Sequence, residues 1–154
     1  MNEAFTYDNL NRLIQASGAV TKTYRYDAIG NITYKSDVGS YAYPASGANS
    51  IRPHAVTSVG GPINASYNYD ANGNMIGGAG RTLTYTSFNK PASIGTGTAS
   101  ITYLYDANDN RIRQIADGKT TTYIGNLFER EVSNGVAHDK SYVYAGSTLV
   151  VIHT

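Results

Sequence analysis

A short motif, in which two tyrosines separated by one residue precede an aspartate, recurs along this sequence. Residues 67–74 hold the clearest copy, with Tyr67 and Tyr69 on either side of a polar residue and Asp70 directly after them. Apolar and polar side chains that alternate in this way are typical of a β-strand with two unlike faces. Asp70 suits the first corner of a type I turn, and Gly73 suits a left-handed φ three residues later. The motif therefore predicts a strand, a three-residue hairpin loop with a bulge, and a second strand.

The other copies keep the same residue types at the same places. The residue three positions after the aspartate is always glycine, asparagine or aspartate, the types that best tolerate positive φ. The repeat-motif residues are Tyr7, Asp8 and Asn11; Tyr24, Tyr26, Asp27 and Gly30; Tyr67, Tyr69, Asp70 and Gly73; Tyr103, Tyr105, Asp106 and Asp109; and, in a degenerate copy, Tyr142 and Tyr144.

The motif recurs at a spacing of roughly 20 residues, which is typical of repeat arrays. Each unit is one hairpin, and one hairpin cannot bury its apolar face alone. Stability must therefore come from neighbouring units. The second tyrosines of the intact and degenerate units are Tyr7, Tyr26, Tyr43, Tyr69, Tyr85, Tyr105, Tyr123 and Tyr144.

The pattern as a whole predicts an all-β, antiparallel fold with very little helix. No apolar periodicity of 3.6 residues is sustained anywhere, although residues 126–131 are compatible with either one helical turn or a strand. Asp117-Gly118 and Asn134-Gly135 are further hairpin-turn signals. We treat residues 1–154 as one array with an irregular insertion at about 36–63, where prolines and glycines interrupt any long strand.

Composition narrows the class of protein. The chain has 14 Tyr, only 3 Phe and no Trp or Cys, so tyrosine supplies much of the apolar surface. Tyrosine suits a sheet with partly wet faces, because its ring packs and its hydroxyl needs a polar partner. A formal net charge of +1 without a basic cluster argues against nucleic-acid binding. No apolar run is long enough to span a bilayer, so membrane insertion is not expected.

These motif copies resemble the Rhs/YD-repeat family, whose signature is Tyr-x-Tyr-Asp-x-x-Gly-Asn repeated about every twenty residues. The copies at residues 24–31 and 67–74 match that signature fully, whereas the fourth has Asp109 in place of glycine. Family members include bacterial polymorphic toxins, insecticidal toxin complexes and teneurins. The resemblance implies a curved or spiralling strip of β-hairpins that forms a hollow shell around a C-terminal toxin or other cargo.

The same resemblance implies the setting of the chain. We expect it to act as part of a larger bacterial protein that is secreted or displayed at the cell surface. Its partners would be the rest of that parent protein and its cargo, together with other copies that pair through exposed sheet edges.

Residues that carry chemistry in other proteins form no convincing set here, so we predict no catalytic, cofactor or metal site. The residues after Asp70 and Asp106 begin like a calcium loop but lack its glycine and its closing glutamate. His54, His138 and His153 are far apart in the sequence and have no second ligand at a metal-like spacing. We therefore predict a non-enzymatic structural segment. A carbohydrate-binding or cell-surface-binding module that uses exposed tyrosine rows is the alternative.

Overall fold

The computed structural model describes residues 2–154, which are all-β and contain no helix. The chain forms two compact units, the first ending at Ala79 and the second beginning at Gly80. The predicted all-β, antiparallel fold is confirmed. Among residues 2–154 no helix is long and apolar enough to cross a membrane.

In the first unit each strand pairs antiparallel with the strand that precedes or follows it in the chain. This order follows from the short hairpin loops, which place consecutive strands side by side. The strands are β1 (Ala4–Tyr7), β2 (Leu13–Ser17), β3 (Lys22–Tyr26), β4 (Ile32–Lys35), β5 (Gly39–Ala42), β6 (Ser58–Gly60), β7 (Ala65–Tyr69) and β8 (Met75–Gly78).

The second unit repeats this meander with longer strands. Residues 126–131, for which the sequence left helix and strand open, lie in a turn and then in the strand that begins at Phe128. The strands are β9 (Arg81–Tyr85), β10 (Pro91–Thr96), β11 (Ala99–Tyr105), β12 (Arg111–Ala116), β13 (Lys119–Ile124), β14 (Phe128–Ser133), β15 (Val136–Ala145) and β16 (Thr148–His153).

The predicted hairpin turns have the expected backbone. Asp117 and Gly118 have φ values of 49° and 75°, and Asn134 and Gly135 have 50° and 79°. Positive φ at both central residues defines the type I′ turn, which matches the twist of the flanking strands. These two predictions are confirmed.

Two short strands, β5 and β6, lie inside the region that the sequence marks as irregular. They pair with each other through Ser40–Gly60, Tyr41–Val59 and Ala42–Ser58, so the run without strands is residues 43–57. Val59 is the only buried apolar side chain among residues 2–154, at 7% exposure. With so little buried apolar surface, the sheet depends on contacts between adjacent strands rather than on a central core.

Candidate functional site: aspartate turns and tyrosine locks

The aspartate of each intact motif organises its hairpin loop. Oδ1 of Asp70 accepts the backbone N–H groups of Asn72 and Asn74, both at 2.9 Å. The backbone N–H of Asp70 donates to the Asn74 carbonyl at 2.9 Å, and that of Gly73 donates to the Asp70 carbonyl at 3.1 Å. One carboxylate therefore satisfies two loop amides that the strand ladder cannot reach.

The same arrangement occurs in the other three intact copies, with Oδ1 of Asp8, Asp27 and Asp106 in the role of Asp70. In each copy the pairing register shifts at the second tyrosine, as expected for a bulged hairpin. Backbone φ is positive at each position for which the motif predicts it, with values of 57° at Asn11, 91° at Gly30, 88° at Gly73 and 61° at Asp109.

The last residue of the motif has a role that sequence reasoning missed. Its side chain reaches back to the second carboxylate oxygen, with Asn31 Nδ2 at 2.8 Å from Asp27 Oδ2 and Arg12 Nε at 2.7 Å from Asp8 Oδ2. A donor at this position lets both oxygens of the aspartate accept hydrogen bonds. The recurrence of asparagine or arginine four residues after the aspartate is the signal that could have found it.

These hydrogen bonds hold the pKa of the turn carboxyls below the ordinary value. At Asp70 the side-chain amide of Asn74 lowers the pKa most, and the backbone amides of Asn74 and Asn72 add to it. At Asp27 partial desolvation raises the pKa, but the bonds from Asn31 and neighbouring amides outweigh it. The pKa values of Asp8 and Asp106 are lowered in the same way. The carboxylate form is therefore favoured by folding.

Acid is expected to destabilise this fold through the turn aspartates. Their folded pKa lies below the unfolded reference of 3.8, so their contribution is complete above that pH and is lost as pH falls through the folded values. Urea unfolding followed by circular dichroism should give a midpoint that is steady at neutral pH and falls below about pH 4. Asp70→Asn should show a smaller fall than the wild type. A midpoint that is unchanged down to about pH 2 would contradict this role of the turns.

The second tyrosine of a hairpin is joined to the preceding part of the array by its hydroxyl, in a contact that we call a tyrosine lock. Tyr105 Oη donates to the carbonyl of Pro91 at 2.8 Å, directly after the preceding turn. Burial raises the pKa of Tyr105 above its ordinary value. The other locks are Tyr26 to the Leu13 carbonyl at 2.9 Å, Tyr43 to Ile32 at 2.9 Å and Tyr69 to Val56 at 2.8 Å.

Sequence reasoning assigned these rings to cross-strand packing and required a polar partner for each hydroxyl, but it did not identify the backbone carbonyls that accept. The available signal was the excess of 14 Tyr over 3 Phe, since packing alone would be served equally well by phenylalanine.

Cations add a second link between neighbouring turns. Arg12 stacks on the ring of Tyr26 at 4.7 Å, and its Nη1 donates to the Asp27 carbonyl at 3.1 Å.

Residues 52–54, in the irregular segment between β5 and β6, contact the neighbouring aspartate turns in the way that a motif turn does. Arg52, at φ 62°, donates through its guanidinium to the Asp70 carbonyl. The carbonyl of Pro53 accepts Asn31 Nδ2 at 2.9 Å, and His54 Nδ1 lies 2.7 Å from Asn31 Oδ1. Because an amide oxygen can only accept, this His54 nitrogen carries the hydrogen. The segment thereby links the Asp27 turn to the Asp70 turn.

A fifth turn of the same type begins at Thr86, where the sequence predicts a turn over residues 88–91 but does not show that Thr86 leads it. Its Oγ1 accepts the Lys90 amide at 3.1 Å, and its own N–H donates to the Lys90 carbonyl at 2.9 Å. Asn89, three residues after Thr86, has φ 60°. Threonine can replace aspartate here because its side-chain oxygen also accepts a loop amide.

The remaining motif tyrosines are less uniform. The ring of Tyr67 lies against Gly78, where an added Cβ would approach its Cδ1 to 2.3 Å. Tyr142 Oη donates to Glu129 at 3.0 Å instead of to a backbone carbonyl. Tyr7 and Tyr144 are 55% and 37% exposed, whereas Tyr24 is half-buried in β3. Only part of the motif set therefore acts as locks.

No group of three or more potential metal ligands lies close together in residues 2–154. Glu129 and Glu131 lie on β14, an interior strand of its unit, where they pair with Lys140 at 2.9 Å and Lys119 at 3.2 Å. Their carboxylates, like those of the turns, already have hydrogen-bonded partners.

No family model and no curated protein matches this sequence. Among solved structures, the chain is similar to part of a mutant Photorhabdus luminescens Tc holotoxin pore, with a TM-score of 0.39 and 13% sequence identity. The likeness covers 98% of this chain but 12% of the holotoxin chain. A likeness at this level establishes no shared function, and membership of the Rhs/YD-repeat family remains a prediction from the motif.

Proposed function

We propose that this chain is a structural wall segment of a larger Rhs/YD-type protein, where it helps to enclose or display a C-terminal toxin or other cargo. The observation that carries the proposal is the tyrosine lock, which joins successive hairpins in a sheet where Val59 is the only buried apolar side chain in residues 2–154. A sheet that is tied from strand to strand can extend without a central core.

The chemistry of the site favours a structural role over catalysis. The turn carboxylates have lowered pKa values and accept hydrogen bonds within their own loops. A general acid or base needs a pKa closer to the working pH and an accessible proton-transfer position. We therefore propose that the segment is not itself an enzyme and that any enzymatic activity belongs to the cargo.

The exposed strands suggest the partners. Leu149, Val150, Val151 and Ile152 of β16 are 42–53% exposed, although they form a continuous apolar run. An apolar edge strand with unpaired backbone groups favours pairing with another strand. We propose that the parent protein or a second copy covers this edge, in a protein that is secreted or held at the cell surface.

A carbohydrate-binding role for the tyrosine rows is the second candidate. The hydroxyls of Tyr26, Tyr69 and Tyr105 are bound to backbone carbonyls, and cations cover the rings of Tyr26 and Tyr105. Rings that are fixed by these hydrogen bonds and covered by cations are better suited to packing within the protein than to stacking on a sugar.

The wall role can be tested in the parent protein by limited proteolysis of the segment that follows the repeats. In the double variant Tyr26→Phe/Tyr69→Phe, we expect cleavage of that segment at about tenfold less protease, since each lost hydroxyl leaves a carbonyl without its donor. Tyr123→Phe is the matched control, because the Tyr123 hydroxyl makes no hydrogen bond to residues 2–154. If hydrogen exchange shows that the locked strands open but cargo cleavage is unchanged, the enclosing role is wrong.

A further inference from the structure

The chain contains two Asn-Gly pairs, Asn72-Gly73 and Asn134-Gly135. In such a pair the backbone nitrogen of the glycine can attack the side-chain amide carbon of the asparagine, and a five-membered ring forms. Glycine favours this reaction because it has no Cβ to hinder its nitrogen. In a folded chain the reaction also requires that this nitrogen be free of hydrogen bonds and that the asparagine side chain can turn towards it. The structure gives the two pairs different surroundings.

The Asn72-Gly73 pair is held within the Asp70 turn. The nitrogen that would attack, Gly73 N, donates its hydrogen to the Asp70 carbonyl at 3.1 Å. The backbone N–H of Asn72 donates to Asp70 Oδ1 at 2.9 Å, and Asn74 Nδ2 donates to the other carboxylate oxygen at 3.0 Å. Ring closure here requires the loop to break the Gly73 bond and to leave a carbonyl without its donor. We therefore expect the folded loop to protect Asn72.

The Asn134-Gly135 pair is not held in this way. It is the two-residue tip of the β14–β15 hairpin, which the Ser133–Val136 pair closes. The Gly135 N–H and the Asn134 side chain make no hydrogen bond to residues 2–154, and both residues are exposed. Apart from its chain neighbours, no atom lies within 4 Å of the place that a Gly135 Cβ would occupy. The nitrogen and the amide are therefore accessible to each other and to solvent water.

We propose that Asn134 is a site of spontaneous backbone modification, at which the asparagine is converted to isoaspartate and aspartate. Gly135 N loses its proton to solvent and bonds to Asn134 Cγ, while the Cγ–Nδ2 bond breaks and the nitrogen leaves as ammonia after taking a proton from water. Water then opens the cyclic imide. Hydrolysis of its bond from nitrogen to Cγ gives aspartate, and hydrolysis of its bond from nitrogen to the backbone carbonyl carbon gives isoaspartate. One water is consumed and one ammonia is released, with no oxidant or cofactor. This inference does not depend on the wall function.

The isoaspartate product disturbs the hairpin, whereas the aspartate product does not. The chain of isoaspartate runs through Cβ and Cγ, which adds a backbone atom to the loop. A type I′ turn matches the strand twist with two central residues at positive φ, here 50° and 79°, so the longer loop weakens the Ser133–Val136 pair. Aspartate keeps the loop length, and Asp117-Gly118 forms the same kind of turn with φ values of 49° and 75°.

The test is to incubate the purified chain at mildly alkaline pH and physiological temperature, and to measure by peptide mass spectrometry the gain of about 1 Da that accompanies the change from amide to carboxyl. Electron-transfer fragmentation distinguishes isoaspartate from aspartate. We expect Asn134 to react at least about tenfold faster than Asn72, with isoaspartate as a major product. In concentrated urea the two pairs should react at similar rates, because neither is then held by a turn.

Two variants complete the test. Asn134→Gln should react at least about tenfold more slowly at this position, because its longer side chain must close a six-membered ring. Asn134→Asp should leave amide exchange at Ser133 and Val136 unchanged, whereas the incubated wild type should exchange faster there. Equal rates at Asn72 and Asn134 in the folded chain would overturn the structural assignment, and aspartate without isoaspartate would overturn the cyclic route. A folded chain that stays unmodified at Asn134, while the urea-unfolded chain reacts, would overturn the site itself.

Discussion

Gly39→Ala should be the most damaging single substitution in the first unit. A Cβ at Gly39 would lie 2.2 Å from the Gly60 carbonyl oxygen and 2.9 Å from Gly61 Cα, so it would strike backbone rather than a mobile side chain. Gly39 also has φ +110°, which side chains with a Cβ rarely adopt. Relieving the clash requires β5 and β6 to separate next to Val59. We expect the free energy of unfolding to fall by about 3–5 kcal/mol, from overpacking and backbone strain together.

Gly30→Ala is the matched control for this experiment. Gly30 has φ +91° but no atom within 4 Å of the added Cβ, so it reports backbone strain without the clash. We expect it to cost about 1–2 kcal/mol in urea unfolding, and hydrogen exchange should locate the larger Gly39 effect in β5 and β6. Equal costs for the two variants would show that the strands separate freely and that the close approach of Gly39 and Gly60 is unimportant.

Asn31→Ala should have the second largest effect, because Asn31 joins three partners and is only 7% exposed. Its Nδ2 donates to Asp27 Oδ2 at 2.8 Å and to the Pro53 carbonyl at 2.9 Å, and its Oδ1 accepts from His54 at 2.7 Å. Truncation leaves a part-buried carbonyl without its donor and releases the irregular segment. We expect a loss of about 2–3 kcal/mol in urea unfolding, with faster amide exchange at residues 52–56.

Asn110→Ala removes the same motif position from an exposed turn. Asn110 Nδ2 makes a single 3.3 Å bond to Asp106 and has no bridge to another segment. We expect it to cost about 0.5–1 kcal/mol, the usual net value of one exposed hydrogen bond. If Asn31→Ala costs no more than Asn110→Ala, or leaves exchange at residues 52–56 unchanged, then the bridge does not hold the irregular segment in place.

The hairpins were predictable because their information is local. Asp70 and Gly73 specify one loop through contacts within five residues, and alternation in β7 and β11 specifies which side chains share a face. Such contacts produce a recognisable pattern of residue types over a few consecutive positions. The predicted hairpin turns at Asp117-Gly118 and Asn134-Gly135 were found for the same reason.

The links between hairpins were not predictable in this way. The Tyr105 hydroxyl meets the Pro91 carbonyl, and backbone carbonyls are identical in every residue type, so the acceptor leaves no trace in the sequence. The turn at Arg52 was not predictable because its role depends on contacts with Asp70 and Asn31, which are far away in the sequence, and not on the residue types within the turn.

The sequence by itself determined a series of antiparallel hairpins bent at aspartate-led turns, because turn chemistry and strand alternation act over a few neighbouring residues. Only the tertiary structure decided how the hairpins are tied together and that Thr86 takes the place of the aspartate in its turn. Those features depend on distances between atoms that are many residues apart, and the packing of neighbouring strands sets those distances.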